Sequence, residues 1–157
     1  MKQLGNVLVG LDMGPGAPQV LQVAARLAEA ADSQLTVLHV ISQKEQDEQA
    51  QNPSVSHFVD VTIGETVRTL HDLVSAAGID GRNVRCTARV GDSVEEVLKA
   101  AWEAASVVVI GMRRRSRVGK FLLGSTLQEV LLAADLPVVV VPLDTDEPSV
   151  RTDRSRL

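Results

Sequence analysis

Residues 107–141 read VVVIGMRRRSRVGKFLLGSTLQEVLLAADLPVVVV and carry the clearest fold signal in the chain. The stretch begins and ends with short apolar runs, 107–110 and 138–141, that lack the polar alternation of half-exposed strands. Such runs are typical of strands buried on both faces of a parallel sheet. Between them, apolar residues recur at helical spacing: Leu127, Val130, Leu131 and Ala134. The stretch therefore predicts a strand, a long loop, a helix and a second strand.

The same alternation of strands and helices extends toward the N-terminus. Apolar runs at 7–11 and 35–41 predict two more buried strands, and the alternating segment 84–90 predicts a half-exposed strand near an edge. Three helix faces complete the pattern: Val20, Val23, Ala24, Leu27 and Ala31; Val59, Ile63, Val67, Leu70 and Val74; and Val94, Val97, Leu98 and Ala101. We therefore predict an α/β fold, a Rossmann-like three-layer sandwich with a five-stranded parallel sheet of order 3-2-1-4-5 and helices on both faces.

Local signals predict where several helices begin and end. Asp92 or Ser93 starts one helix, and Ser125 or Thr126 caps the last one, because each is followed by Glu or Gln three residues on. Gly78 suits a left-handed helix end. Trp102 follows a buried helix face by one position, which places it at the border of that face. Segments 42–56 and 143–157 lack an apolar period, so we expect both to be mobile.

Composition excludes several classes of protein. The 157 residues suffice for one domain, which we place at 1–143, followed by a polar tail at 144–157. A net charge of -4 and an aromatic content of 2% argue against a nucleic-acid partner. Cys86 is the only cysteine, which excludes an intrachain disulfide and fits a reducing compartment. No apolar window predicts a membrane helix, and the N-terminus does not resemble a signal peptide, so we expect a cytoplasmic protein.

The loop that follows the strand at 107–110 is the candidate site. Ligands of open α/β sheets bind beyond the carboxyl ends of the strands. There the chain offers Gly111, a group of basic residues and Gly124, Ser125 and Thr126 at the start of a helix. Glycine lets backbone N–H groups approach an anion, and a helix N-terminus carries partial positive charge, so a phosphate group fits. From the residues alone, ordinary helix caps and a solvated basic loop stay open as alternatives.

Other chemistry has no support in the sequence. His39, His57 and His71 are too scattered to hold a metal ion together, and no nucleophile has a recognisable base beside it. We therefore predict no metal site and no catalytic residue.

The strand and helix order, the opening VLVGLD at 7–12, Leu38-His39-Val40 and the loop from 111 to 125 together resemble the universal stress protein family. The likeness spans about residues 5–143. Nucleotide-binding members of that family carry Gly, two residues, Gly, nine residues, Gly and then Ser or Thr in this loop. Here the matching residues are Gly111, Arg114, Gly124 and Ser125, so arginine replaces the second glycine.

The resemblance implies an ATP site, with magnesium on the phosphates. Asp12 and Val40 would meet the ribose and adenine, and Gly111, Gly124, Ser125 and Thr126 would hold the phosphates. Arg114 would either block the phosphates through its Cβ or bind them through its guanidinium.

The resemblance also implies an antiparallel homodimer through the last strand, residues 138–141. We expect a stress-response regulator or protectant that binds nucleotide and is not an enzyme, with slow ATP hydrolysis left open. The alternative is a dimeric interaction module that binds a protein partner through the basic loop without nucleotide.

Overall fold

The computed structural model describes residues 5–50, 58–113 and 123–143. Strands and helices alternate along the chain as β1 Asn6–Gly10, α1 Ala17–Ala30, β2 Leu35–Ile41, α2 Gln43–Ala50, α3 Phe58–Ala76, β3 Val84–Val90, α4 Ser93–Ala104, β4 Ala105–Arg113, α5 Ser125–Ala133 and β5 Val138–Leu143. The predicted polar tail at 144–157 lies outside the described residues. Among the described residues, no helix is both long and apolar enough to cross a membrane.

The five strands form one parallel sheet in the order β3-β2-β1-β4-β5. In the central strand, Val9 pairs with Val37 on one side and Val109 on the other, and all three are fully buried. The strands β3 and β5 form the two edges. The predicted Rossmann-like fold and its strand order are therefore confirmed.

Two apolar layers fix the helices to the sheet. On one face, α1 and α3 pack through Leu21 and Leu70 against alternate residues of the central strands. On the other face, α4 and α5 pack through Leu98 and Val130 against residues of the opposite parity, such as Leu8. Because both faces are covered, the two ends of the sheet are what the helices leave open.

The buried face of α1 differs from the predicted one. Val23 lies exposed on this helix, whereas Leu21 and Ala28 are buried. Ala17, Ala24 and Ala28 belong to the core, and such small side chains let a helix lie close to a sheet. The prediction had included Val23, Leu27 and Ala31 in this face and had omitted Leu21 and Ala28. Trp102 is 58% exposed, so it lies outside the buried face of α4 and not at its border.

The segment after β2 was expected to lack structure, and this prediction is wrong for α2. Ser42 and Glu45 form a reciprocal cap: the backbone N–H of Ser42 donates to Glu45 Oε2 at 2.8 Å, and that of Glu45 donates to Ser42 Oγ at 3.3 Å. Gln43 also donates to Asp47 one turn on, at 3.1 Å. These local polar bonds start a helix without an apolar face. Residues 51–57 lie outside the described part of the chain.

An ion-pair cluster joins the edge strand β3 to α4. Arg89 Nη2 lies 2.6 Å from Glu103 Oε2, and Arg89 Nη1 lies 3.6 Å from Glu96 Oε2. The hydrogen bond from Arg89 lowers the pKa of the Glu103 carboxyl below its usual value of 4.5. The cluster thus favours the charged form of Glu103 in the folded chain.

Candidate functional site

A cleft of about 510 Å³ opens at the carboxyl ends of the central strands. Residues after β1, residues at the end of β4 and the first residues of α5 line it, and β2 with the start of α2 forms a further wall. β1 and β4 are the neighbouring strands at which the chain reverses its winding across the sheet. This is where open α/β sheets bind ligands.

The cleft brings together nearly all of the site residues that the sequence predicted. Six of them line it: Asp12, Val40, Gly111, Gly124, Ser125 and Thr126. They come from four separate parts of the chain, which only the parallel sheet brings to one edge. Arg114 and the basic residues that follow it, up to Lys120, lie outside the described residues.

Gly111 is required by protein packing. A Cβ added here would lie 2.8 Å from Val20 Cγ2 and 3.1 Å from Leu143 Cδ1, so β4 passes close to α1 and β5 at this point. Gly124 differs, because a Cβ there would meet no atom of the described residues within 4 Å. A side chain at Gly124 would extend into open space beside the cleft instead.

The N-terminus of α5 opens into the cleft without a side-chain cap. Gly124 is the N-cap residue, and the first helical bond runs from Gln128 N–H to Gly124 C=O at 3.0 Å. The prediction that Ser125 or Thr126 caps this helix is therefore wrong, since the helix begins one residue earlier than expected. The hydroxyl groups of Ser125 and Thr126 therefore do not cap this helix. The first backbone N–H groups of the helix have no partner within it, which makes this end attractive to anions.

An ion pair crosses the mouth of the cleft. Arg113 Nη2, at the end of β4, lies 2.7 Å from Asp12 Oδ2, just after β1. Both side chains are largely exposed, at 51% and 74%. The pair joins two residues 101 positions apart in sequence. The sequence placed Arg113 in the basic loop but gave no signal that Asp12 would be its partner.

The wall opposite α5 is built around a buried histidine. His39 Nδ1 donates to the carbonyl oxygen of Leu11 at 2.7 Å, which ties the end of β2 to the end of β1. Its Nε2 lies 3.7 Å from Glu45 Oε1. Glu45 was missed because its segment was taken as unstructured. The spacing Ser42-x-x-Glu45 is a capping signal that could have found it.

The remaining lining of the cleft is mostly apolar, with Leu38, Val97, Ile110, Met112 and Leu127 among its residues. Within the described ranges, the charged lining consists of Asp12, Glu45 and Arg113. The same ranges contain no group of three or more His, Cys, Asp or Glu side chains that could hold a metal ion. An apolar cleft with a few polar groups suits a small organic ligand.

A larger open groove, about 760 Å³, lies at the other end of the sheet. It runs between the carboxyl ends of α1 and α3 and includes an ion pair of Asp80 with Arg82 at 2.6 Å. This pair lowers the pKa of the Asp80 carboxyl. Helix carboxyl ends repel anions, and the strands begin at this edge, so the groove lacks the features that favour a phosphate ligand.

Comparison with known proteins identifies the family to which this fold belongs. A model of the universal stress protein family matches residues 4–142. The chain belongs to this family. Membership confirms the resemblance that the motifs indicated, and the matched residues include all of the lining residues of the cleft except Leu143.

One curated relative is a universal stress protein of Mycolicibacterium smegmatis, 29% identical over 144 residues. The match covers 87% of this chain but 47% of the relative, so the chain spans about half the length of that family member.

Two solved structures of the family contain nucleotides. A universal stress protein in complex with cAMP is 20% identical, with a TM-score of 0.63, and the match covers 91% of this chain and 100% of that one. A universal stress protein of Archaeoglobus fulgidus in complex with dAMP is 19% identical, with a TM-score of 0.56, and covers 90% and 99%. At these identities the likeness establishes the shared fold.

Proposed function

We propose that this universal stress protein binds an adenine nucleotide, ATP with magnesium, in the cleft between β1 and β4, and acts as a homodimeric stress-response protein. One observation carries the proposal: six residues predicted from the sequence, including Asp12, Gly124 and Ser125, line one cleft of about 510 Å³. That volume lies in the usual range for small-molecule sites. The proposed role is binding, not turnover.

The phosphates are placed at the N-terminus of α5. Its first backbone N–H groups point out of the helix without helical partners, and the helix dipole adds partial positive charge. Gly124 itself adds no side chain to this approach, and a Cβ there would meet no atom of the described residues within 4 Å. Ser125 and Thr126 contribute hydroxyl donors beside the same end. Magnesium enters on the phosphates, as is usual for nucleotide sites.

The base and ribose are placed toward the ends of β1 and β2. Val40 and Met112 supply apolar lining on this side, and Asp12 is the carboxylate that can accept a hydrogen bond from a ribose hydroxyl. The bond from His39 to the Leu11 carbonyl holds the two strand ends in fixed relation. We therefore expect the adenine base to bind against the ends of β1 and β2 with little rearrangement of these strands.

The relatives support an adenine ligand. Both nucleotide complexes, with cAMP and with dAMP, contain an adenine base and a single phosphate. Neither carries a triphosphate. The proposed preference for ATP rests on the loop motif, in which Gly111, Gly124, Ser125 and Thr126 are expected to hold the phosphates.

The test is a thermal-shift titration with ATP and magnesium. A ligand at 100 times its Kd stabilises the fold by about 2.7 kcal/mol, which corresponds to a rise in Tm of roughly 5–10 °C for a chain of this size. Gly124→Val should abolish the shift, since its side chain enters the phosphate approach. Gly81→Val is the matched control, because a Cβ at Gly81 also meets no protein atom and Gly81 lies away from the cleft. The control should shift like the wild type.

Two outcomes would contradict the proposal. No shift at millimolar ATP removes the nucleotide function altogether. Equal shifts in both glycine variants remove the assignment of the phosphates to α5. A parallel assay of ADP formation at saturating ATP and magnesium tests the non-enzymatic role: steady multiple turnover would overturn it.

A further inference from the structure

We propose that Arg113 is a specificity-determining residue that selects phosphorylated ligands over nucleosides by moving from Asp12 to the phosphates. The inference rests on the proposed nucleotide function and assigns a role that neither the loop motif nor the family match gives. Its starting point is that Arg113 is the only Lys or Arg among the described residues of the cleft.

Among the described lining residues, the charge balance favours movement of Arg113 when an anion enters. Two carboxylates, Asp12 and Glu45, face one guanidinium, and that guanidinium is bound to Asp12 at 2.7 Å. While Arg113 is paired with Asp12, a phosphate that enters the cleft meets the dipole of α5 but no unpaired Lys or Arg of the described lining. Releasing Arg113 supplies a cation for the phosphate and frees Asp12 to accept a ribose hydroxyl. A single movement thus satisfies both ends of the ligand.

The backbone and side chain of Arg113 are suited to such an exchange. The backbone is fixed in the sheet, since Arg113 pairs with Leu143 in the register of β4 and β5. The side chain is half exposed and forms an ion pair with one exposed carboxylate, that of Asp12. Exposed ion pairs are weak, so breaking this one lowers ligand affinity by no more than about fivefold. Arginine binds phosphate through two parallel hydrogen bonds, which is the stronger interaction.

A substitution at Gly14 offers a second way to break the ion pair between Arg113 and Asp12. A Cβ added at Gly14 would lie 2.7 Å from Arg113 Nη2, so the guanidinium occupies space that glycine alone leaves open. Gly14→Ala would displace the guanidinium without changing any charge. The displacement is inexpensive, because the obstructed atom is the far end of a flexible side chain. This variant separates loss of the Asp12 contact from loss of the cation.

The test measures Kd for ATP and for adenosine by calorimetry with the 157-residue chain. For Arg113→Gln we expect ATP affinity to fall at least about tenfold, while adenosine affinity changes less than about threefold. Arg113→Lys should recover part of the ATP affinity, which a merely damaged cleft would not allow. Gly14→Ala should bind ATP at least as tightly as the wild type. Arg82→Gln is the matched control, because it removes an arginine from an exposed pair outside the cleft.

The outcomes separate this inference from the proposed function. If the wild type binds neither ligand, both fail. If the wild type binds ATP and Arg113→Gln binds it equally well, the role of Arg113 is overturned and the nucleotide function stands. The role is also overturned if Arg113→Gln binds both ligands more tightly by the same factor, since the arginine would then only obstruct the cleft. Equal loss in Arg113→Gln and Arg113→Lys contradicts it too.

Discussion

At the scale of single residues, the two glycines of the loop motif have different physical reasons to be glycine. Gly111 lies so close to Val20 and Leu143 that an added Cβ would force their side chains to shift. Gly124 faces open space, with φ of -58°, a conformation open to every residue type. One glycine therefore maintains the packing of β4, and the other keeps the approach to α5 clear. A motif read only as a phosphate loop would assign both to the ligand.

This difference predicts that substitutions at the two glycines change the free energy of unfolding by unequal amounts. Gly111→Ala should lower the free energy of unfolding by about 1–3 kcal/mol, because the added methyl overpacks the contact with Val20. Gly124→Ser should change it by a few tenths of a kcal/mol, since serine is a good N-cap residue. Urea unfolding of both variants without nucleotide measures the contrast. An unfolding midpoint for Gly111→Ala equal to that of the wild type would refute the packing role.

The ion pair of Glu103 predicts a pH dependence. Arg89 lowers the pKa of Glu103 below 4.5, so the pair stabilises the folded chain above that pH and loses its effect as pH falls through the folded pKa. Glu103→Gln should therefore be less stable than the wild type near pH 7, and the two should converge in acid. Chemical unfolding across pH 3–7 provides the measurement. A constant difference between the two proteins would show that the pair contributes nothing through its charge.

At the scale of elements, the sequence identified the strands better than the polar helix. A strand buried on both faces needs a continuous apolar run, so β2 and β4 were visible in the sequence. The helix α2 has no apolar face, and the bonds between Ser42 and Glu45 that start it are local and polar. A prediction that relies on apolar residues at helical spacing therefore missed α2. Its first turn nevertheless forms part of the cleft wall.

The candidate site could be predicted only where neighbours in sequence carry the signal. The sequence identified Gly124, Ser125 and Thr126 because the residues that start a helix are neighbours in sequence. The pair of Asp12 with Arg113 depends on β1 and β4 lying side by side, so no local pattern records it. The cap at Gly124 was missed for a related reason: serine and threonine are preferred caps, and this helix begins before them.

The start of α4 gives a prediction at this scale. Asp92 accepts a hydrogen bond from the backbone N–H of Glu95 at 3.0 Å, as the sequence indicated. Asp92→Ala should lower the free energy of unfolding by about 1 kcal/mol, and the Tm by roughly 2–4 °C. Asp92→Ser is the matched control and should retain most of the stability. Calorimetry decides between them, and equal melting of the alanine variant and the wild type would disprove the capping role.

At the scale of the whole molecule, the sheet ends in two unlike edges. The strand β3 carries charged residues such as Arg85 and Arg89, which discourage pairing with another sheet. The strand β5 reads VVVVPL, and apolar strands at an edge are open to pairing with a second chain. This contrast supports the homodimer in the proposed function and assigns it to β5.

A charge on β5 tests the dimer. Val140 belongs to neither of the two core clusters, so Val140→Arg should leave the fold intact while placing like charges opposite each other across the paired strands. Light scattering should show twice the chain mass for the wild type and a single chain mass for the variant. Leu132→Arg is the control, because Leu132 is 81% exposed on α5, and it should stay dimeric. A monomeric wild type would end the proposal of a homodimer.

The space beside Gly14, which the guanidinium of Arg113 occupies, also has an evolutionary consequence. The guanidinium that fills it comes from Arg113, so the two positions restrict each other although almost the whole domain separates them in the chain. A descendant that replaces the arginine with a short side chain would release position 14 to accept any residue. A descendant that first gains a side chain at 14 must reposition its arginine. The two sites should therefore tend to change together, because a side chain at 14 moves the guanidinium away from Asp12.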